Sequence, residues 1–366
     1  MHGAGTSPMD MSAEPTPHSG LRRLWQAYRL RWKRRYFLVR AFRKRRQLRC
    51  LQDRTKAIQA GDILGFSTMR NEMLRLPGYL DHYRQLGVRH FLIVDNDSDD
   101  GTTDYLLRQP DVSVWHSADS YKASRFGVDW LTWLQFRYGH GHWCMTADAD
   151  ELFCFPHDDK LGLLGLTNWL DRSGLETIST IMIELYPKGP ISETPATDGS
   201  ILKHLRWFDA DNFWATPRAD GLGQVVRGGV RARHFFQEEP GRAPTMNKLP
   251  LVKWSWRYAY VSSTHVALPK TLNALHWARD TAPTGALLHT KFFHDAPARA
   301  VMEKARGEHF GDGMLYADYY DGVAADPDFW SETSSEFTGW QALEVLGLIQ
   351  AGALADAAET GSEPPN

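Results

Sequence analysis

From residue 62 onwards, the chain alternates between short apolar runs and longer segments in which apolar residues recur every three or four positions. The short runs predict buried β-strands, and the periodic segments predict amphipathic helices. Helices are predicted at residues 73–86, 103–108 and 123–138, and strands at residues 63–69, 88–94, 112–115 and 143–147. Such alternation is typical of an α/β fold with a doubly wound, mostly parallel sheet.

Beyond residue 156 the pattern is less regular. Residues 188–250 are rich in Gly, Pro and Arg and predict no regular element. Around them, the apolar pattern predicts helices at residues 161–172 and 297–309, and strands at residues 177–185, 252–261 and 287–292. We therefore expect a C-terminal extension added to the α/β core.

Polar residues follow three of the predicted strands at the point where each strand ends. RNE follows the first at residues 70–72, DNDSDDGT follows the second at residues 95–102, and DADE follows the fourth at residues 148–151. In an open α/β sheet, ligands bind outside the carboxyl ends of the strands. Carboxylates gathered there repel one another unless a cation offsets their charge, and Mg²⁺ and Mn²⁺ prefer oxygen ligands.

Asp148 and Asp150 therefore predict a metal site that holds a diphosphate. A solvated acidic turn is the alternative for so short a motif, and the convergence of three polar strand ends argues against it. Residues 95–102 equally predict a tight turn that caps the following helix.

The charge is unevenly divided along the chain. Residues 1–54 carry 14 basic and 3 acidic residues, a net charge of +11, whereas the whole chain carries −2. In residues 21–54, Arg and Lys alternate with Leu, Trp, Tyr and Phe, which predicts a basic helix lying on an anionic membrane surface. Packing against the acidic body is one alternative. Nucleic-acid binding is another, although we do not expect a nucleic-acid partner.

The remaining features of the sequence concern the cellular compartment of the protein. The chain has no apolar run long enough to span a bilayer and no apolar signal-peptide core. Its three cysteines, Cys50, Cys144 and Cys154, fit no zinc spacing and indicate free thiols. We expect a cytoplasmic protein, peripherally associated with the inner face of the membrane.

Taken in order, these motifs resemble the GT-A-fold, family 2-like glycosyltransferases, in particular the bacterial branch with Arg-Asn-Glu after the first strand and an Asp-Ala-Asp-Glu metal motif. The resemblance covers roughly residues 62–320 and includes SRFG at residues 124–127, GGVRAR at 228–233 and LHTKF at 288–292. It implies a metal-dependent hexosyltransferase of cell-surface polysaccharide synthesis. The implied donor is a nucleotide sugar, with UDP-sugar favoured, and the implied acceptor is a saccharide or a lipid-linked molecule. An inverting reaction is favoured.

The resemblance also implies roles for individual residues. Mn²⁺ or Mg²⁺ would be held by Asp148, Asp150 and His289, with His265 as a rival third ligand and Glu151 supporting the ligands. The nucleotide-sugar site would comprise Arg70, Glu72, Asp95, Asn96, Asp99, Arg125, Asp148, Arg231, Arg233 and Lys291. For the catalytic base of an inverting reaction we favour Glu184, with Asp209, Glu238 and Glu239 as alternatives.

Two other classes of protein stay open. One is a non-catalytic, glycosyltransferase-like binding or scaffold protein. The other is an Asp-x-Asp phosphatase, although that motif usually follows the first strand and has Thr or Val where this chain has Leu152.

The expected organisation follows from this interpretation. It comprises a disordered N-terminus (residues 1–20), a basic aromatic helix (21–60), the nucleotide-sugar-binding half of a GT-A-like domain (61–155), the acceptor-side half with C-terminal helices (156–350), and a disordered tail (351–366).

Overall fold

The structure, a computed structural model, describes residues 20–195, 201–273, 281–306 and 313–360. Its helices there are α1 (Gly20–Lys44), α2 (Leu76–Leu86), α3 (Thr102–Arg108), α4 (Val128–Tyr138), α5 (Asp158–Arg172), α6 (Gly229–Phe235), α7 (Ala296–Arg306), α8 (Gly313–Ala324), α9 (Trp340–Val345) and α10 (Leu354–Thr360). The first eight strands are β1 (Arg49–Gln52), β2 (Ile63–Met69), β3 (Val88–Asp95), β4 (Val112–His116), β5 (Trp143–Thr146), β6 (Glu151–Cys154), β7 (Ser179–Glu184) and β8 (Trp207–Phe208). The others are β9 (Trp214–Pro217), β10 (Gln224–Arg227), β11 (Asn247–Lys248), β12 (Leu251–Lys253), β13 (Ala259–Ser262), β14 (Val266–Leu268), β15 (Thr284–His289) and β16 (Ser335–Glu336).

A six-stranded sheet in the order β1-β4-β3-β2-β5-β12 forms the centre of the fold. Strands β4, β3, β2 and β5 are parallel, and β1 and β12 run antiparallel at the two edges. The predicted α/β fold with a mostly parallel sheet is confirmed. Because β2, β3 and β5 point the same way, the polar residues after them meet at one edge.

Helices cover both faces of this sheet, as the alternation of side chains along its strands requires. On β3, Phe91 and Ile93 pack with α2, α3 and α5, whereas Leu92 and Val94 pack on the opposite face with α4. Successive side chains of a strand point to opposite faces, so an apolar run without polar interruptions needs both faces covered.

A second, four-stranded sheet in the order β11-β7-β15-β6 begins with β6, at the end of the acidic segment that follows β5. Strand β15 is parallel to β7 and antiparallel to β6, so a late segment of the chain lies between two earlier ones. The predicted strand at residues 252–261 is wrong: it divides into β12 and β13, which belong to different sheets. Residues 307–309 of the predicted last helix lie outside the described residues.

The N-terminal segment differs from the single helix predicted across residues 21–60. Helix α1 ends at Lys44, and β1 then pairs with the edge strand β4. One face of α1 packs on the body through Phe37 and Ala41, which are 8% and 2% exposed. Within the described residues, no helix has both the length and the apolar character to cross a membrane.

The predicted disordered ends have different outcomes. Residues 1–19 and 361–366 lie outside the described residues. Within the predicted tail, however, α10 is a helix, and Leu354 at its start is fully buried in the main core.

Candidate functional site

The site lies where the ends of the second sheet meet the acidic segment at residues 148–151. In the register of that sheet, His289 at the end of β15 is paired with Glu151 of β6 on one side and Glu184 of β7 on the other. Asp150 directly precedes β6, and its carbonyl oxygen accepts hydrogen bonds from the backbone N–H and the hydroxyl of Thr290. Strand pairing therefore brings three acidic side chains and one imidazole together.

Asp150 and His289 form the centre of this group. The Oδ2 atom of Asp150 lies 3.1 Å from Nε2 of His289, and one ligand atom each of Asp150, Glu151 and His289 lies within 4.8 Å of the others. Neighbouring ligand atoms on an octahedral ion, each about 2.1 Å from it, lie about 3 Å apart. Carboxylate oxygens suit Mg²⁺ and Mn²⁺, and an imidazole ligand favours Mn²⁺ of the two. The pair can therefore hold a divalent cation.

The charges of the pair reinforce each other. Burial opposes ionisation of Asp150, but His289, Arg75 and Arg299 outweigh it and hold the pKa of Asp150 well below its usual range. Burial would lower the pKa of His289, yet Asp150 and Glu184 outweigh burial and raise it. Asp150 is thus an anion at neutral pH, as a metal ligand must be. The raised pKa of His289 favours its protonated form, so a cation would have to displace that proton to bind the imidazole.

Lys248 is a member of the site that the sequence analysis missed. Its ammonium forms a buried ion pair with Glu151 and lies 3.3 Å from Oδ2 of Asp148. Although burial opposes it, the charges of Glu151 and Asp148 raise the pKa of Lys248. Lys248 thereby neutralises the charge of Glu151, which lies buried next to Asp150. The Asp148 side chain, in contrast, remains half exposed.

Glu184, the favoured catalytic base, is occupied by other contacts. It is buried, forms an ion pair with Arg231, and lies 3.7 Å from Nδ1 of His289. Burial would raise its pKa, but Arg231 and His289 lower the pKa of Glu184 to about 2. A carboxylate with so low a pKa is a poor base at neutral pH. In the structure Glu184 contacts Arg231 and His289 and lines neither cavity, and its role as the base stays a prediction.

A cavity of about 400 Å³ opens beside Asp150 and His289. Asp148 also lines it, together with Glu72 and Glu303. Its walls carry a larger number of basic side chains, namely Arg70, Arg75, Arg231, Lys291, Arg299 and Arg306. Burial and the nearby charge of Arg231 lower the pKa of Lys291. No ion pair in the described part of the chain involves Lys291. The cavity therefore offers a strongly anionic ligand both a cation site and fixed positive charge.

Ion pairs to helix α7 connect this cavity to the strand ends. Arg299 binds Glu72 through two hydrogen bonds of 2.5 and 3.0 Å, and Arg75 binds Asp295 through two of 2.6 and 2.8 Å. Glu72 thus contacts a cation of the protein, and it holds α7 over the cavity. More than 200 residues separate the partners in each pair, so the sequence pattern carried no sign of these contacts.

Residues that follow β2 and β3 form hydrogen bonds with one another and with neighbouring loop residues. Asn96 lines the cavity, and its amide donates to the carbonyl oxygens of Ser117 and Asp119. Arg70 also lines the cavity and donates to the Asn96 carbonyl. Asp99 exchanges hydrogen bonds with Asn71 and does not line the cavity, so the structure does not bring it together with Asp150 and His289.

Asp95 is fully buried, and its Oδ2 accepts a hydrogen bond from the hydroxyl of Thr103. The other oxygen, Oδ1, is also buried and accepts no hydrogen bond from the described residues. A buried acceptor without a donor is costly. Asp95 itself lines neither cavity, although its neighbour Asn96 lines the first.

Three further predicted site residues lie away from the cavity. Arg125 pairs with Asp129 and donates to the carbonyl oxygens of Tyr260 and Val261, because its left-handed backbone (φ 55°) belongs to the tight turn before α4. Asp209 accepts hydrogen bonds from Arg233 and from the Tyr186 hydroxyl. Neither Arg125 nor the Asp209–Arg233 pair lines this cavity, so the structure does not bring these predicted nucleotide contacts and this alternative base to it.

A second cavity, of about 490 Å³, lies on the other side of the same residues. The two cavities share a wall made of Tyr121, Phe126, Asp148, Arg231 and His289. His265 lines the second cavity and is absent from the metal-ligating group of the described residues, so it does not replace His289.

No protein-family model and no curated protein matches the chain. Among solved structures, it is similar to 4-diphosphocytidyl-2C-methyl-D-erythritol synthase, with a TM-score of 0.24 and 14% identity, over 39% of this chain and 67% of that chain. It is also similar to a protein from Bacillus anthracis described as a glucose-1-phosphate thymidylyltransferase, in complex with sucrose. That TM-score is 0.26 at 7% identity, over 71% of this chain and 83% of the other. TM-scores this low add nothing to the description of the site.

Proposed function

We propose that this chain is a metal-dependent glycosyltransferase that moves a sugar from a nucleotide-sugar donor, with UDP-sugar favoured, to a saccharide or lipid-linked acceptor. One observation carries the proposal: a single cavity combines the Asp150–His289 pair with the basic side chains of Arg231 and Lys291. A nucleoside diphosphate needs both features. A divalent cation bridges its phosphates to protein carboxylates, and fixed positive charges bind the remaining oxygens.

The strand ends provide a place for the nucleoside. Asn96 lines the cavity, and the buried Oδ1 of Asp95 lacks a donor among the described residues. A base N–H or a ribose hydroxyl bound beside Asn96 would supply that donor if binding opened the enclosed Asp95 to the cavity, which Asp95 does not line. We therefore place the nucleoside over the ends of β2 and β3, and the diphosphate near Asp148 and Asp150.

The chemistry follows from these charges. A bound Mn²⁺ or Mg²⁺ would act as a Lewis acid that stabilises negative charge on the leaving diphosphate. Lys291 and Arg231 line the same cavity and would add fixed positive charge where that negative charge develops. Glu184 holds Arg231 in place through their buried ion pair.

The acceptor fits the second cavity. It shares a wall with the first, so a sugar bound near Asp148 and His289 is within reach of both cavities. Arg227 in its lining donates only to the carbonyl of Ala243 and the hydroxyl of Thr216 among the hydrogen bonds of the described residues. This cation suits an acceptor that carries a negative group. A lipid-linked acceptor would be met at a membrane surface, which agrees with the basic character of helix α1.

Donor hydrolysis tests the proposal. The full-length protein would be incubated with a panel of UDP-, GDP-, TDP- and CDP-sugars, with Mn²⁺, with Mg²⁺ or with EDTA, and release of the nucleoside diphosphate would be measured. We expect release from at least one donor with metal and none with EDTA.

Other outcomes would support the other classes of protein. Phosphate release from p-nitrophenyl phosphate without donor turnover would indicate a phosphatase. Metal-dependent nucleotide binding without any turnover, including in the presence of acceptor saccharides, would indicate a binding protein. Either result would overturn the proposed transferase.

A further inference from the structure

Helix α1 presents a continuous apolar stripe to solvent. Seven large side chains on it are between 49 and 70% exposed: Leu24, Trp25, Tyr28, Trp32, Tyr36, Val39 and Phe42. Their spacing of three, four and seven residues places them on one side of the helix, within an arc of about 120°. Exposed apolar patches of this extent mark interaction sites in soluble proteins.

The opposite side of α1 is already occupied. Phe37 packs with Leu222 and Val266 of the body, and Arg40 binds Asp129 at 2.5 Å and the carbonyl of Ala123. The helix is therefore fixed on the protein with its aromatic stripe turned away. Packing against the body explains half of the helix and leaves the stripe from Leu24 to Val39 largely exposed.

Arginines accompany the stripe. The guanidinium groups of Arg29 and Arg35 lie 4.7 and 5.0 Å from the ring centroids of Trp25 and Trp32. Residues 20–44 contain no acidic residue. Aromatic rings flanked by arginine, with no carboxylate between them, match the interface of an anionic bilayer, where rings insert among the headgroups and guanidinium groups bind phosphates.

The stripe continues onto helix α4. Phe42 contacts Trp133 edge to face at 5.7 Å, and Trp133 stacks on Phe136, which is 38% exposed. The surface is thus formed by two helices, and it is larger than α1 alone would provide.

We propose that the stripe of α1, extended by Phe136, is a docking site for an anionic lipid surface and holds the protein in one orientation on it. This docking does not depend on the reaction catalysed. Helix α1 is also connected to the cavities. The guanidinium of Arg125 lies 4.1 Å from the ring centroid of Phe37 on α1, and Arg125 belongs to the turn whose Tyr121 and Phe126 line both cavities. Docking through α1 therefore sets the direction in which the cavities face the membrane.

The test uses the full chain and vesicles of phosphatidylcholine with or without about one-third phosphatidylglycerol. We expect binding to the anionic vesicles, weakened by salt, and quenching of tryptophan fluorescence by brominated lipids. Trp25→Gln with Trp32→Gln should lower the partition coefficient about tenfold or more. Arg29→Glu with Arg35→Glu should lower it at least about fivefold per arginine.

Matched controls lie on other surfaces. Leu164→Gln on α5, where Leu164 is 61% exposed, and the exposed Arg108→Glu on α3 should leave vesicle binding unchanged. Circular dichroism and melting temperature should match the original protein in all variants, since every altered side chain is exposed.

Three results would overturn the proposal. The first is equal binding by the tryptophan variant and the original protein. The second is tighter binding to tRNA or duplex DNA than to anionic vesicles, which would assign the surface to nucleic acid. The third is a dimer in solution that the tryptophan variant dissolves, which would assign it to a second copy of this chain.

Discussion

The carboxylate of Asp150 and the imidazole of His289 lie 3.1 Å apart, although 139 residues separate them in the chain. The contact joins the loop between β5 and β6 to β15, which is the strand of the second sheet that comes last in the chain. Neither sheet alone contains the pair, so a cation bound there would connect the two parts of the fold.

Asp150→Asn should abolish metal-dependent release of nucleoside diphosphate, by at least about a hundredfold, because the amide lacks the charge that binds the cation. The change is nearly isosteric, so the fold should be retained. Donor hydrolysis and Mn²⁺ titration by calorimetry measure both effects. Asp99→Asn, at the turn outside the cavity, is the control and should retain activity. Wild-type turnover of the Asp150 variant with Mn²⁺ would refute the cation site.

Lys291→Met should weaken UDP binding about tenfold or more while leaving uridine binding unchanged, because it removes a charge-assisted contact to phosphate. The same change should raise the melting temperature of the ligand-free protein, since burial and Arg231 disfavour the ammonium. Calorimetry and thermal melts follow the two effects. Lys188→Met, whose ammonium lies 4.0 Å from the Trp330 ring centroid, is the control. Equal losses for UDP and uridine would contradict a phosphate contact.

Glu184→Gln should destabilise the protein by about 3–5 kcal/mol, because Arg231 would keep its buried charge without its carboxylate partner. Adding Arg231→Met should recover part of this loss. Urea denaturation of the single and double variants gives the coupling free energy. The exposed pair Arg206–Glu336 provides the comparison and should couple by less than about 1 kcal/mol. If the coupling free energy between Glu184 and Arg231 were as small as that of the exposed pair, their ion pair would contribute little to stability.

His82 should make the protein less stable as the pH falls from about 6.5 to about 4. Burial lowers the pKa of His82 to about 4, and its Nε2–H donates to the carbonyl of Phe153. Between these two values the unfolded chain binds the proton and the folded protein does not, so stability rises with pH there, by at most about 1.4 kcal/mol per unit for one group.

His82→Gln keeps a donor and should flatten this part of the stability curve. Denaturant unfolding at several pH values from 4 to 7 measures the slope, and the exposed His140→Gln is the control. If both variants retain the original slope, His82 is not its source.

The sequence predicted the central sheet well for a physical reason. Strands β2 and β3 each contain a buried apolar segment, at residues 63–66 and 91–94, and β2 has the predicted bounds of residues 63–69. The meeting of the polar residues at one edge of the sheet could also be predicted, because the strands that precede them are parallel. The contact between Lys248 and Glu151 could not be predicted, because 97 residues separate them and Lys248 belongs to a two-residue strand in a segment without periodicity.

Arg125 shows a different limit of the sequence pattern. The motif at residues 124–127 suggested a ligand contact, yet the left-handed backbone of Arg125 and Phe126 is part of a tight turn in which Arg125 binds Asp129 and helix α1. Pairing of this kind depends on which surface α1 covers, and helical periodicity alone does not contain that information. Glu184 is similar, since only the fold reveals that Arg231 already binds it.

The position of β15 between β6 and β7 also has a consequence for synthesis of the protein. Until the ribosome has added Thr284–His289, β6 and β7 have no strand to join them, and Asp150 lacks its imidazole neighbour. A nascent chain that ends before residue 284 can complete the central sheet through β12, but it cannot bring His289 beside Asp150. The protein therefore acquires its proposed activity only when translation has passed residue 289.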